Sequence, residues 1–194
     1  MLDGLLQLDG QLLVAIQGLH QSWLDPVVSV YTKLGDAGLL WIVLSVLMLA
    51  YRPTRKAGAL ALCAMGLGLL VTNMTIKPLV ERARPWLDWP IVPLVTERDP
   101  HSFPSGHTCA AFAAGMIWLR ALPWKWGRNA APVLAVCMGL SRLYVGVHYP
   151  TDVLAGAVIG SLCAWLVWQI YCAGFVLKLY ELRRGGRSGP GGNK

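Results

Sequence analysis

Apolar residues in this chain collect in long, nearly uncharged runs, with most charged residues between them. Residues 37–51 form one run, which stops at Arg52-Pro53-Thr54-Arg55-Lys56, and residues 57–76 form the next, which ends at Lys77-Pro78. A third covers residues 108–122 and holds Arg120, a fourth covers 129–147, and the last, 153–177, is the longest uncharged run. The hydrocarbon core of a bilayer needs about 20 apolar residues in helical form. The runs therefore predict an all-α, multi-pass transmembrane helical bundle. Arg120 lies near a helix end, from which it can snorkel to the interface. Trp41, Trp124 and Trp126 fall near predicted helix ends, where interfacial aromatics collect.

The first thirty-five residues repeat differently. Leu2, Leu5, Leu6, Leu12, Leu13, Ile16, Leu19 and Trp23 recur at three- and four-residue spacing, while Asp3, Gln7, Gln11, Gln17 and Gln21 lie largely off that stripe. This is the pattern of an amphipathic helix lying in the membrane interface. Asp3, Asp9 and His20 make a sixth span the poorer reading, so the bundle has five helices or, with that segment, six. The expected organisation is an interfacial helix and linker over 1–35, a membrane core over 36–180, and a Gly-rich, disordered cytoplasmic tail over 181–194.

Composition agrees with a membrane class. Hydrophobic residues make up 55% and charged residues 14% of the chain, against roughly a quarter charged in typical globular proteins. That excludes intrinsic disorder. The net charge of +7 does not indicate nucleic-acid binding, because apolar runs separate the basic residues. Cys63, Cys109, Cys137, Cys163 and Cys172 lie in apolar segments without CxxC pairing, which favours small buried hydrophobes over disulfides or zinc ligands. The N-terminus lacks the basic region of a signal peptide, so no cleavage is expected. If five helices alternate, Arg52–Lys56, Lys125–Arg128 and Lys178–Arg187 share one side, which the positive-inside rule makes cytoplasmic. Residues 78–106 and 142–152 then face the other way.

That opposite side receives the residues that carry chemistry. They fall in three groups: Lys77 with Arg84-Pro85, Pro104-Ser105-Gly106-His107, and Ser141-Arg142 followed by His148 and Asp152. Lys77, Arg84 and Arg142 place cations suited to phosphate oxygens. Ser105-Gly106-His107 opens a helix, whose free N–H groups favour an anion, and Gly106 permits close backbone approach. Asp152, four residues after His148, can fix the imidazole tautomer and leave the other nitrogen free to attack phosphorus. His107 can protonate the departing oxygen and later activate water. There is no acidic cluster of the kind magnesium needs and no zinc spacing, so neither metal nor cofactor is expected. Arg82 and Arg98 read as interfacial anchors or entrance charges, and His101 as peripheral. Alone, Lys77 beside Pro78 would mark a helix end, Ser105 an N-cap, and His148 with Asp152 a structural pair. Their ordered occurrence on one side is what points to a site.

The spacing Lys77-x6-Arg84-Pro85, then Pro104-Ser105-Gly106-His107, then Ser141-Arg142-x5-His148-x3-Asp152 resembles the three-part signature of the type 2 phosphatidic acid phosphatase superfamily, without a departure. The resemblance implies His148 as nucleophile forming a phosphohistidine, Asp152 as its orienting partner, and His107 as general acid and then base. It implies Lys77, Arg84, Ser105, Gly106 and Arg142 as the phosphate grip, with no metal. The short chain resembles small bacterial undecaprenyl pyrophosphate phosphatases, with phosphatidylglycerophosphate or phosphatidic acid as alternative substrates. Such an enzyme would sit in the cell membrane, with its site on the extracytoplasmic side and its lipid phosphate substrate in the outer leaflet. Readings from other classes are a small transporter, which would need charges within the helices or inverted repeats, and a non-catalytic membrane protein, which would need a missing catalytic side chain.

Overall fold

The computed structural model describes residues 2–185, with side chains from residue 4 to 175. The helices are α1 (Leu2–Gln17), α2 (Asp25–Leu34), α3 (Leu39–Ala50), α4 (Arg55–Leu69), α5 (Lys77–Val80), α6 (Pro85–Asp88), α7 (Gly106–Ala121), α8 (Lys125–Tyr144) and α9 (Pro150–Gly185). No strand occurs among the described residues. Helix α9 runs through the first five residues of the expected tail, and residues 186–194 lie outside the described residues.

Helix α7 is the hub, packed on α4, α8 and α9. The packing is close because the contact residues are small. Ala57, Ala61 and Ala64 of α4 and Ala111, Ala113 and Ala114 of α7 are fully buried in one cluster. On α9, Gly156 and Gly160 lie one turn apart against α7. A Cβ on Gly156 would sit 2.5 Å from the Ser105 carbonyl oxygen, and one on Gly160 would sit 2.3 Å from that of Cys109. Small residues let helix backbones approach in membranes, where apolar burial drives helix association little.

Among the described residues, two helical stretches are long and apolar enough by themselves to cross a bilayer, Arg55–Asp88 and Pro150–Phe175, and α2 with α3 makes a third bent by 51°. Helix α7 has only 16 residues, and α8 carries Lys125, Arg128 and Arg142. Both complete the bundle through their packing rather than by unbroken hydropathy.

Two expectations need correction. Trp41 is not an interfacial aromatic: it is fully buried, with its ring 5.6 Å from that of Trp118. Its side chain joins α3 to α7 within the central core cluster. Trp124 and Trp126 do stay exposed and stack on each other. The N-terminal amphipathic segment is also two helices rather than one. Helix α1 ends at Gln17, where Gly18, a poor helix former, turns the chain, and the Asp25-Pro26 start opens α2. Leu5, Leu6, Leu12, Leu19 and Trp23 of the apolar stripe remain exposed, while Asp9 and Leu13 are buried. The face of α1 that meets the protein therefore includes a carboxylate.

Helix α1 is tied to one end of the bundle. Gln17 Nε2 donates to the Leu143 carbonyl at 2.9 Å, the His20 ring contacts the Tyr144 carbonyl at 2.7 Å, and Leu13 packs with Ile91, Leu143, Tyr149 and Val153. At that same end Gly146, at φ +76°, takes the left-handed turn that carries the chain from α8 toward His148.

Candidate active site

Three chain segments converge where α7 and α9 begin. Ser105 is the N-cap of α7: its hydroxyl oxygen accepts from the Thr108 N–H at 3.4 Å, and its own N–H donates to the Asp152 carbonyl at 3.0 Å. That second bond fastens the start of α7 to the first turn of α9. Pro150 opens α9, and Asp152 reaches back so that its Oδ2 accepts from the Tyr149 N–H at 2.9 Å, the reciprocal arm of a capping box. The third segment follows α4. Residues 70–76 form a π-turn, a distortion common at functional sites. It delivers Asn73 and Lys77 to the same place, with Asn73 so close that a Cβ on Gly106 would lie 2.9 Å from its Oδ1.

The two histidines and the carboxylate are disposed as follows. His148 is buried, and its Nε2 lies 3.2 Å from Arg84 Nη1. A guanidinium only donates, so Nε2 holds the lone pair and Nδ1 the proton. Nδ1 faces Asp152 Oδ2 at 3.5 Å, an ion-pair distance longer than a hydrogen bond. Burial, followed by the charges of Arg84, Arg142 and Lys77, pushes the His148 pKa well below its ordinary value, which keeps the imidazole neutral. His107 Nε2 contacts Asp36 Oδ1 at 2.9 Å.

Each cation of the cluster holds an acceptor. Arg84 donates from Nε to the Asp99 carbonyl at 3.0 Å and from Nη1 to the Val147 carbonyl at 2.8 Å. Lys77 is paired with the Asp99 carboxylate. Burial raises the Asp99 pKa, but the hydrogen bonds from Lys77 and from the His101 N–H, with the charges of Lys77 and Arg84, outweigh it and hold this carboxyl below its usual range. Arg142 donates from Nη1 to Thr32 Oγ1 at 2.7 Å and is paired through Nη2 with Glu97, while its Nε is buried without a partner.

A cavity of about 480 Å³ opens onto this cluster. Lys77, Arg84, Gly106, His107 and His148 line its polar end, and Ile42, Leu62, Met65, Leu69 and Ala110 line an apolar trough continuing from it. Ser105, Arg142 and Asp152 are buried behind the polar wall. The structure thus brings all eight residues singled out in the sequence into one locality, five of them on the cavity surface. Among the described residues no group of three or more His, Cys, Asp or Glu is placed to hold a metal ion.

The structure also adds partners that the sequence reading missed. Asp36 comes from the short turn ahead of α3, and Glu97 and Asp99 from the loop between α6 and α7; none stands in a motif. Arg82 is a correction. It is not an interfacial anchor but an interior connector, donating to Asp152 Oδ1 and Asp9 Oδ2, each at 2.7 Å. The carboxylates that draw it inward lie 70 and 73 residues away, beyond any local pattern. Arg98 stays exposed, in keeping with an entrance or anchoring role.

Comparison with known proteins agrees with this arrangement. The family model described as the PAP2 superfamily, the type 2 phosphatidic acid phosphatases, matches residues 57–173, a span holding every one of the eight residues. Phosphatidylglycerophosphatase B of Bacillus subtilis is 35% identical over 161 residues, covering 77% of this chain and 76% of that protein. Undecaprenyl-diphosphatase of Sulfolobus acidocaldarius is 30% identical over 144 residues, covering 74% and 69%. The crystal structure of a transmembrane PAP2 type phosphatidylglycerolphosphate phosphatase from Bacillus subtilis superposes with a TM-score of 0.70 at 35% identity, over 90% of this chain and 87% of that one. With its signature residues gathered at one end of a membrane helix bundle, the chain belongs to the PAP2 superfamily of lipid phosphatases.

Proposed function

We propose that this protein removes a phosphate from a lipid at the outer surface of the cell membrane, with undecaprenyl diphosphate, cleaved to undecaprenyl phosphate, as the substrate. The observation that carries the reading is the two-ended cavity. Its polar end matches a phosphoryl group, and its apolar trough matches a chain that stays in lipid. The name of the relative from Sulfolobus acidocaldarius that is 30% identical favours the undecaprenyl carrier. Phosphatidylglycerophosphate or phosphatidic acid is the second reading, favoured by the name of the relative that is 35% identical.

The chemistry follows from the geometry. The incoming phosphate displaces Asp99 from Lys77 and Glu97 from Arg142, and takes the Arg84 Nη1 donor away from His148. Its negative charge is then shared among these cations and the N–H groups at the start of α7, as phosphoryl transfer requires. His148 Nε2, freed, attacks phosphorus while Nδ1–H points to Asp152. The bond to the leaving oxygen breaks as His107 donates its proton there. In the second half, His107 takes a proton from water, the oxygen attacks the phosphohistidine, and orthophosphate leaves with His148 regenerated.

The basic loops, read by the positive-inside rule, support an outward-facing site, and α1, tied to the same end of the bundle as the site, suits the outer interface. The test is phosphate release by the purified protein from undecaprenyl diphosphate, phosphatidylglycerophosphate and phosphatidic acid in detergent, with chelator and with His148→Ala alongside. Expected are turnover that survives chelator, loss of at least about a thousandfold in the variant, and preference for the diphosphate. Turnover retained by His148→Ala would remove the nucleophile, and strong preference for a glycerophospholipid would overturn the carrier-lipid assignment.

A further inference from the structure

Asp152 has more to do than its contact with His148 explains. That contact is loose, at 3.5 Å, so the carboxylate is oriented by its other partners. Oδ2 is held by the Tyr149 N–H at 2.9 Å and Oδ1 by Arg82 Nη1 at 2.7 Å. Arg82 is itself clamped. Its guanidinium lies 3.8 Å over the Tyr149 ring, Nη1 also donates to Thr151 Oγ1 at 2.7 Å, and its backbone carbonyl accepts from the Ser102 N–H at 2.8 Å.

The other arm of Arg82 reaches α1. Nη2 donates to Asp9 Oδ2 at 2.7 Å, and Asp9 Oδ1 accepts from the Thr151 N–H at 3.0 Å. Thr151 is in the first turn of α9, where amide donors lack partners within the helix. Asp9 therefore does two things from a helix far away in sequence. It caps the element that carries Asp152, and with Asp152 it is one of the two carboxylates that balance the half-buried Arg82. Both acids are buried, at 3% exposure for Asp9 and none for Asp152.

We propose that Asp9 and Arg82 are positioning residues for the phosphoryl-transfer step, with Arg82 holding Asp152 in the orientation that serves His148 and Asp9 holding Arg82 and the α9 N-terminus in place. Helix α1 is on this account part of the catalytic assembly rather than a membrane anchor alone. The inference rests on the assignment of His148 and Asp152 above. The charged groups facing His148 and Asp152 are Lys77 from α5, Arg84 ahead of α6, His107 from α7, Arg142 from α8, Arg82 from the segment between α5 and α6, and Asp9 from α1. Asp9 and Arg82 are the pair that can be altered without touching the phosphate grip.

The test compares Asp9→Asn, Arg82→Gln, the double variant and Leu13→Ala in the purified full-length protein. Turnover of undecaprenyl diphosphate and of dioleoyl phosphatidic acid is followed in detergent between pH 4.5 and 8, with His148→Ala in parallel. Asparagine keeps an oxygen for the Thr151 N–H but loses the charge. Leu13→Ala loosens the packing of α1 and leaves every charge in place. Expected is a fall in kcat of about tenfold or more for each charge variant, as misplacement of a catalytic group produces, with KM within about twofold. The acid limb of the kcat profile, which reports protonation of the His148–Asp152 pair, moves to lower pH when Asp9 loses its negative charge and to higher pH when Arg82 loses its positive one. The double variant returns toward the wild-type midpoint. Leu13→Ala lowers Tm and keeps the wild-type midpoint. Charge variants that match Leu13→Ala, with Tm lowered and midpoints unmoved, overturn the positioning role while His148→Ala remains inactive. Activity in His148→Ala overturns the underlying assignment and this inference with it.

Discussion

The seating of α9 on α7 makes a quantitative demand on one glycine. A methyl group at position 156 would lie 2.5 Å from the backbone carbonyl oxygen of Ser105 and 3.1 Å from Thr108 Cβ. Ordinary contact begins near 3.4 Å, so Gly156→Ala must part the two backbones by about 0.9 Å. A carbonyl in the helix-opening turn cannot swing away as a side-chain end can. The strain of such overpacking is about 1–3 kcal/mol, which in a domain of this size lowers Tm by roughly 2–12 °C. The larger consequence is catalytic. Ser105 N–H bonds the Asp152 carbonyl at 3.0 Å, so the shift opens the joint between the segment bearing Gly106 and His107 and the segment bearing His148 and Asp152. A displacement near 1 Å between reacting groups costs about a hundredfold in rate. The assay is kcat for phosphate release at a temperature well below the variant's Tm, so that all of the protein is folded, with Gly174→Ala as control because nothing lies within 4 Å of a Cβ there. Gly156→Ala with wild-type kcat and Tm would refute the claim that this close approach aligns the site.

Two further outcomes follow from the charges. Glu97→Gln removes the acid that occupies Arg142 Nη2, so orthovanadate, which resembles five-coordinate phosphorus, should inhibit at a several-fold lower concentration; an unchanged or higher inhibition constant would show that Glu97 does not compete with phosphate. Stability should fall as pH drops below about 6.5, the ordinary histidine value. The unfolded chain then takes up a proton that His148, held well below that value, refuses. One such proton gives a slope of up to about 1.4 kcal/mol per pH unit. Tm measured from pH 7.5 to 5 checks this, and the slope should flatten in His148→Asn; an equal slope in that variant would assign the effect elsewhere.

Much of the site was legible without coordinates because its parts are local. A Pro-Ser-Gly-His helix start, a histidine four residues before an aspartate, and an arginine beside a proline each have short-range geometry, and the chemistry of phosphate selects those residue types. The charged partners were not legible. Asp36, Glu97 and Asp99 are ordinary loop acids until the fold sets them against His107, Arg142 and Lys77. A carboxylate in a turn has the same local pattern whether it faces water or a buried cation.

The sequence by itself determined the class of architecture and the chemical inventory, since helices that cross a membrane must be apolar along their length and catalytic groups must be specific residues. Tertiary structure alone decided that Trp41 is core, that the N-terminal segment breaks into two helices, and that Asp9 on α1 reaches Arg82 and, through it, Asp152. Those outcomes depend on which surfaces meet. An aspartate in an amphipathic helix is a solvated residue by pattern, and it becomes a structural one only when a half-buried arginine 73 residues later is folded against it.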